Sequence, residues 1–290
     1  MIINHKLTIP HKPERVVLFG GSGFIGRAIE SRLRRAHVPT LSVGSSQIDL
    51  TSDNTHTLLS NLLRPTDSIV MLSAITPDKG NTVEVMIKNL VIMQNLCLYL
   101  QKSQCSHFIY FSSDSVYGNT EEIITEETKI SPQDLYGVMH YARELMAVEV
   151  DAPLLLMRPT LVYGSGDPHC AYGPSRFFYS AKKDGVISIF GDGAELRDYI
   201  YIDDVADIVL RCLFHKTIGK LNLVSGKSTS FLDLAKLVLS QMNEPIRIDS
   251  KARLRPISHR HYDNFCLYSA FPEVKRTSLE EGISNFIRNN

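Results

Sequence analysis

The chain has no long apolar run, no paired cysteines and no excess of either charge, and each absence removes a class of function. No window approaches the ~20 consecutive apolar residues that an ordinary membrane-crossing helix needs, so a membrane span is not expected. The opening stretch MIINHKLTIPHKPERVV lacks a charged segment followed by an apolar run, and does not read as a secretory signal. Cys97, Cys105, Cys170, Cys212 and Cys266 are odd in number and show no CxxC spacing. That argues against a disulfide framework or a zinc site and for reduced thiols in the cytoplasm. The 31 basic residues are balanced by 31 acidic ones, which gives no ground for expecting a nucleic acid or an anionic membrane as partner. Linkers, low-complexity segments and internal repeats are missing too, so any lobes pack directly on one another.

What is present is a periodic pattern across 290 residues, 43% of them apolar, enough for a large core. RVVLF (15–19), TLSV (40–43), SIVML (68–72), HFIYF (107–111) and PLLLM (153–157) read as buried parallel strands. Between them FIGRAIESRLRRA, TVEVMIKNLVIMQNLCLYLQ and PQDLYGVMHYARELMAVEV have helical length and period. Strands alternating with helices predict an α/β doubly wound parallel sheet covered on both faces. After Gly164 the texture changes: GSGDPHCAYGPS reads as a loop, SRFFYSAKKDG as a short helix and VISIF as a strand. Ser230 with Asp233 gives FLDLAKLVLSQM a capping-box-like start, and Asp203 and Asp204 read as helix-start carboxylates.

FGGSGFIG follows the first strand and opens the first helix, with Gly20, Gly23 and Gly26 in a GxxGxxG spacing. In that context the glycines predict a tight turn that lets a dinucleotide pyrophosphate approach the helix N-terminus. An acidic residue about 20 positions on would bind the ribose 2′-hydroxyl of NAD. The second strand instead ends VGSSQ, with Ser45 and Ser46 and no carboxylate. Those hydroxyls, with an arginine among Arg27, Arg34 and Arg35, favour NADP over NAD.

FGGSGFIG, FSSDSVYG, YGVMHYARE, RPTLVYGSGD and GDGAELRDYIYIDDV follow one another in an order and spacing that resembles the extended short-chain dehydrogenase/reductases, specifically their nucleotide-sugar epimerase, dehydratase and 4-ketoreductase group. The likeness runs from about Arg15 to Arg288. It implies a Rossmann domain over residues 1–165 and a smaller, mainly substrate-binding C-terminal lobe over 166–290, some of whose segments return to the first. It further implies a nucleotide-activated sugar in the cleft, and a homodimer through the helices carrying Asn89 and Tyr136. Carried over by position, Ser113 holds the substrate oxygen and Tyr136 exchanges a proton with it during hydride transfer. Cofactor contacts fall on Gly20, Ser22, Gly23, Phe24, Ile25 and Gly26, on Ser45 and Ser46, and on Asp49 and Leu50 at the adenine. Further contacts fall on Leu72, Ser73 and Ala74, on Asn89, on Tyr136 and His140, and on Pro159. Arg197 matches the arginine that grips the sugar's diphosphate, a task suited to its fixed charge and forked donors. A second such arginine is Arg253 or, with a small loop shift, Arg255; Arg176 and Asp114 are further substrate-side candidates. Asp114 is followed by Ser115, where dehydratases of this kind carry a glutamate, so 4,6-dehydration is disfavoured.

One position departs from the pattern. Four residues after Tyr136 the family places a lysine, whose charge favours the phenolate; this chain has His140. A free phenol titrates near 10 and needs such help at neutral pH. A partly protonated His140 is therefore expected to stand in for the lysine, with a non-catalytic binder or a mere packed pair as the other readings. The expected activity is reduction of a 4-keto-6-deoxysugar nucleotide, with 4-epimerisation as the near alternative and a non-catalytic dinucleotide-binding regulator as the distant one.

Overall fold

The structure, a computed structural model, describes residues 3–167, 173–242, 245–253 and 256–290. In chain order its elements are β1 (Ile3–His5), β2 (Arg15–Phe19), α1 (Phe24–Arg35), β3 (Thr40–Val43), α2 (Thr55–Leu62), β4 (Asp67–Met71), α3 (Val83–Leu100), β5 (His107–Phe111), α4 (Leu135–Val148), β6 (Leu154–Pro159) and β7 (Leu161–Tyr163). There follow α5 (Gly173–Asp184), β8 (Val186–Phe190), β9 (Leu196–Tyr201), α6 (Ile202–His215), β10 (Thr217–Leu223), β11 (Ser228–Ser230), α7 (Phe231–Ser240), β12 (Arg247–Lys251), α8 (Phe265–Ala270) and α9 (Leu279–Arg288).

Seven strands form one sheet in the order β1-β10-β6-β5-β4-β2-β3, parallel throughout except for β1 on β10. Successive residues of a strand face opposite sides, and the two cores follow that alternation. Val16 and Leu18 of β2, with Ile109 and Phe111 of β5, meet α1 and α6 on one face. Val17 and Phe19, with Phe108 and Tyr110, meet α2, α3 and α4 on the other. This is the doubly wound α/β architecture expected, and it directs the Tyr110 side chain toward α4.

The strand order reverses beside β2, whose neighbours are β3 and β4. Ligands of such sheets sit outside the strand ends at that reversal, and there β2 ends at Gly20 and β4 runs into Leu72. A third core, around Phe177, Ile187, Tyr199, Leu234 and Phe286, joins α5, α7 and α9 to β8 and β9. Among the described residues α3 is the one helix long and apolar enough to cross a membrane. Its Met93, Leu96, Cys97 and Leu100 are buried in the core on the α2, α3 and α4 face of the sheet.

Candidate active site

The glycine turn is built by close approach. Gly20 has φ +87°, and a Cβ there would lie 2.9 Å from the Ser73 nitrogen, so the turn after β2 touches the end of β4. A Cβ on Gly26 would come within 2.4 Å of the Gly20 carbonyl oxygen, so only glycine lets α1 sit on the turn. Gly23 is the N-cap of α1; no side chain caps it, and the first turn carries no acidic residue. Bare amides at a helix start, approachable over glycine, fit a pyrophosphate. Ser22 and Gly23 are exposed, whereas Phe24 and Ile25 pack partly into the core and can offer only backbone.

Beyond β3, Ser45 and Ser46 are exposed in a turn closed by the Gly44 amide donating to Gln47 Oε1 at 2.9 Å. A Cβ on Gly44 would lie 3.5 Å from Ser22 Oγ, so this turn borders the glycine loop. Arg27 stays beside that loop, donating to the Ser22 and Gly166 carbonyls at 2.6 and 3.0 Å. Arg34 and Arg35 do not reach it. They end α1, roughly 15 Å along the axis from its start at 1.5 Å per residue, and Arg34 pairs with Glu30.

Asp49 is exposed and accepts from the Thr51 amide and hydroxyl, which hold its carboxyl below the usual range, while Leu50 is buried. Leu72, Ser73 and Ala74 lie half-buried past β4. Asn89 is buried, and its amide accepts from the Ile75 nitrogen at 2.8 Å and donates to the Ile75 oxygen at 3.0 Å. In that position the side chain braces the loop after Ala74. Pro159 ends β6, half-buried beside Leu223 of β10.

The catalytic candidates meet because of another glycine. Ser113 caps the 3-10 turn Asp114–Tyr117, and Asp134 caps α4 by accepting from the Gly137 amide at 2.7 Å. A Cβ on Gly137 would stand 2.6 Å from the Ser115 carbonyl oxygen. Glycine there lets the start of α4, with Tyr136, abut the turn that holds Ser113. Ser113 Oγ donates to Ser115 Oγ at 3.0 Å, and the Tyr136 side chain is half-buried.

His140 packs edge-on to Tyr136, ring centroids 4.5 Å apart, and its Nδ1 lies 2.8 Å from the Tyr110 hydroxyl. The ring is buried, and burial together with the Arg143 charge holds its pKa well below the ordinary imidazole value. Burial thus favours the neutral ring, which speaks against a partly protonated substitute for lysine. Burial also pushes the Tyr110 hydroxyl above the ordinary phenol range. Tyr110 thus keeps its proton and shares a hydrogen bond with Nδ1, while His140 Nε2 faces no partner among the described residues. That atom is buried, a polar group whose hydrogen bond is not made within the protein.

Sequence reasoning missed two members of this cluster, Tyr110 and Arg143. The Arg143 guanidinium stands 5.1 Å over the Tyr110 ring and donates to the Ser73 carbonyl at 2.7 Å. The one available signal was its place two helical turns after Tyr136, on the same face.

On the substrate side, Asp114 is fixed by residues that the motifs did not reveal. Tyr262 donates to its Oδ2 at 2.5 Å, and Arg260 Nη1 donates to its carbonyl at 3.0 Å and approaches Oδ2 at 3.5 Å. Arg197 and Arg253 are brought together around one carboxylate: Glu195 accepts from Arg197 Nη2 at 2.6 Å and from Arg253 Nη1 at 2.8 Å. Arg197 also donates to the Leu196 and Ser258 carbonyls. Those two guanidinium groups hold the Glu195 carboxyl below its usual range even though burial opposes this. Arg176, half-buried in the first turn of α5, shares no hydrogen bond with Glu195, Arg197 or Arg253. Arg255 and residues 168–172 of the 164–175 loop lie outside the described residues.

Known proteins share this arrangement of elements. The chain is similar to a trifunctional UDP-glucose 4,6-dehydratase/UDP-4-keto-6-deoxy-D-glucose 3,5-epimerase/UDP-4-keto-L-rhamnose-reductase of Arabidopsis thaliana, 24% identical over 315 residues that cover 94% of this chain and 46% of the relative. The chain thus spans about half the length of that protein. Its fold matches the UDP-glucose 4-epimerase of Thermus thermophilus solved with NAD, with a TM-score of 0.82, 16% identity, and 95% and 98% of the two chains covered. It also matches a GDP-L-fucose synthetase of Naegleria fowleri bound to NADP, with a TM-score of 0.83, 16% identity, and 99% and 96% covered. The sequence profile of the NAD dependent epimerase/dehydratase family matches residues 16–223, most of the chain and all of the parallel sheet between β2 and β10, and the chain belongs to that family.

Proposed function

We propose that this protein is an NAD(P)-dependent reductase of a nucleotide-activated 4-keto-6-deoxysugar, working in the cytoplasm. The observation that carries the reading is the engagement of Asp114 by Tyr262 and Arg260 beside Ser113. A carboxylate so held cannot serve as a free acid, and Ser115 occupies the place of a second one. Elimination of water therefore lacks its acid–base pair, and proton exchange at a single substrate oxygen remains.

The glycine loop and the start of α1 would hold the pyrophosphate, and the exposed Ser45 and Ser46 with Arg27 favour a 2′-phosphate at the ribose. The chemistry that such a cofactor supplies when bound is hydride transfer. Ser113 Oγ orients the substrate carbonyl oxygen, and the Tyr136 phenol gives it a proton as the carbonyl becomes a carbinol. Arg197 and Arg253 bind the diphosphate and thereby fix the sugar's position. Exposed apolar residues on the outer faces of α3 and α4, Val83 and Ile87 on one and Leu145 and Val148 on the other, support a homodimer through those helices.

The test is mass spectrometry of the protein incubated with 4-keto sugar nucleotides and each reduced cofactor. A gain of two hydrogens supports reduction. Unchanged mass with altered retention supports 4-epimerisation instead. Binding without turnover of any substrate supports a regulator, the reading that the neutral His140 at the lysine position favours.

A further inference from the structure

Arg143 lies on α4 with its side chain fully buried, and no carboxylate comes within ion-pair distance of it among the described residues. Its Nη2 donates to the Ser73 carbonyl at 2.7 Å, its Nη1 lies 3.9 Å from Met139 Sδ, and its Nε is buried without a partner. The next residue shows the usual solution to burial, since Glu144 is paired with Arg158 at 2.6 Å. A buried cation lacking such a partner is costly, and it persists where its charge is used.

Helical side chains lean toward the N-terminus, and the contact with Met139 shows Arg143 leaning toward Tyr136, two turns earlier on the same face. Between the two stand the Tyr110 ring, 5.1 Å beneath the guanidinium, and the His140 ring that Tyr110 holds at 2.8 Å. We propose that Arg143 is the positioning residue that supplies Tyr136 with its fixed positive charge. The work of one lysine is thereby divided: Arg143 provides a permanent charge, and His140 a ring whose Nε2 is left without a partner among the described residues. The inference rests on reading Tyr136 as the proton-exchanging phenol.

The surrounding groups leave that charge uncancelled. Glu144 is neutralised by Arg158, and Asp114 at the mouth by Arg260. Burial pushes the Cys97 thiol on α3 up to about 12, and Tyr110 is likewise held neutral. Two helical turns separate the positions by roughly 10 Å along the axis, and a fixed charge at that distance, at an effective dielectric of ~20, lowers a phenol's pKa by about one unit.

The experiment is a pH titration of tyrosine Cζ resonances in 13C-labelled protein without cofactor or substrate, with Tyr136 assigned from the Tyr136→Phe spectrum. In the wild type Tyr136 is expected to ionise below the ordinary ~10 of a phenol. Arg143→Gln should raise it by about one unit. Arg143→Lys should restore most of the shift, and His140→Lys with Arg143→Gln should restore it by moving the charge one turn. His140→Gln, which removes no charge, should leave it in place. A wild-type Tyr136 that titrates at or above ~10 overturns the proposal without any variant, as does an unchanged value in Arg143→Gln. Because no turnover is needed, a misassigned substrate cannot mimic either result.

Discussion

The Tyr262 hydroxyl lies 2.5 Å from the Asp114 carboxylate, one residue from the serine placed to hold the substrate oxygen. Burial and the Asp114 charge raise the Tyr262 phenol beyond the ordinary range, so it stays protonated wherever the protein is active. An alkaline change in activity is then expected from Tyr136 and not from Tyr262. Tyr262→Phe is expected to lower kcat/KM for the sugar nucleotide about tenfold, as loss of one hydrogen bond to a charged group would, while leaving the pH profile in place. A profile that moves with Tyr262→Phe would make Tyr262 the titrating group.

Cofactor preference should follow the turn after β3. Ser45 is exposed and lies in the turn that borders the glycine loop. Ser45→Asp introduces a negative charge that a 2′-phosphate must face and a 2′-hydroxyl can use as a hydrogen-bond acceptor. The variant should bind NADPH at least about tenfold more weakly while NADH binding holds or improves, an effect of one charge–charge contact. Equal losses for both in a fluorescence titration would remove the 2′-position from this turn.

The fold was readable because the parallel strands are buried on both faces and hence run apolar, as RVVLF and HFIYF do. β1, β7, β9, β10, β11 and β12 were not read, and neither were α2, α8 and α9. Several of these strands span only three residues, too few for a period to emerge. The glycine loop, Ser113 and Tyr136 could be found from motif spacing because each depends on local chain geometry. The state of His140 could not, because it is set by Tyr110 on another strand and by burial that the pattern of α4 does not encode. Tyr262, Arg260 and Glu195 were missed for the same reason: their partners lie 148, 146 and up to 58 residues away along the chain.

The Glu144–Arg158 pair ties α4 to β6. Arg158 donates to both Glu144 oxygens at 2.8 and 2.6 Å and to the Tyr117 hydroxyl at 2.9 Å, and all three side chains are essentially sealed from solvent. Glu144→Gln leaves the guanidinium charged and unmatched in the interior. Breaking a buried pair in this way should cost about 3–5 kcal/mol, read as a lower denaturant midpoint. Replacing both partners, Glu144→Leu with Arg158→Met, should cost less than the single change, since no uncompensated charge remains. A double variant less stable than Glu144→Gln would mean that the pair contributes net stability beyond neutralising itself.

Glu195 occupies the fork between Arg197 and Arg253 that a sugar diphosphate would need. Its carboxylate and a diphosphate compete for the same donors, so binding must displace it. Arg197→Ala should raise KM for the sugar nucleotide roughly ten- to a hundredfold, with dinucleotide binding nearly unchanged. Glu195→Gln should instead tighten binding of a free nucleoside diphosphate, by up to about tenfold, because the competitor loses its charge. The pH dependence has a definite sign. The folded-state pKa of Glu195 lies below the ordinary value of a free glutamate, so the clasp's stabilisation is fully present above that ordinary value and is lost as pH falls through the folded pKa. Glu195→Gln should therefore flatten the acid side of the stability curve measured between neutrality and the carboxylate range. Weaker diphosphate binding by Glu195→Gln in calorimetry would show that Glu195 orients the two arginines for the ligand and does not hold its place.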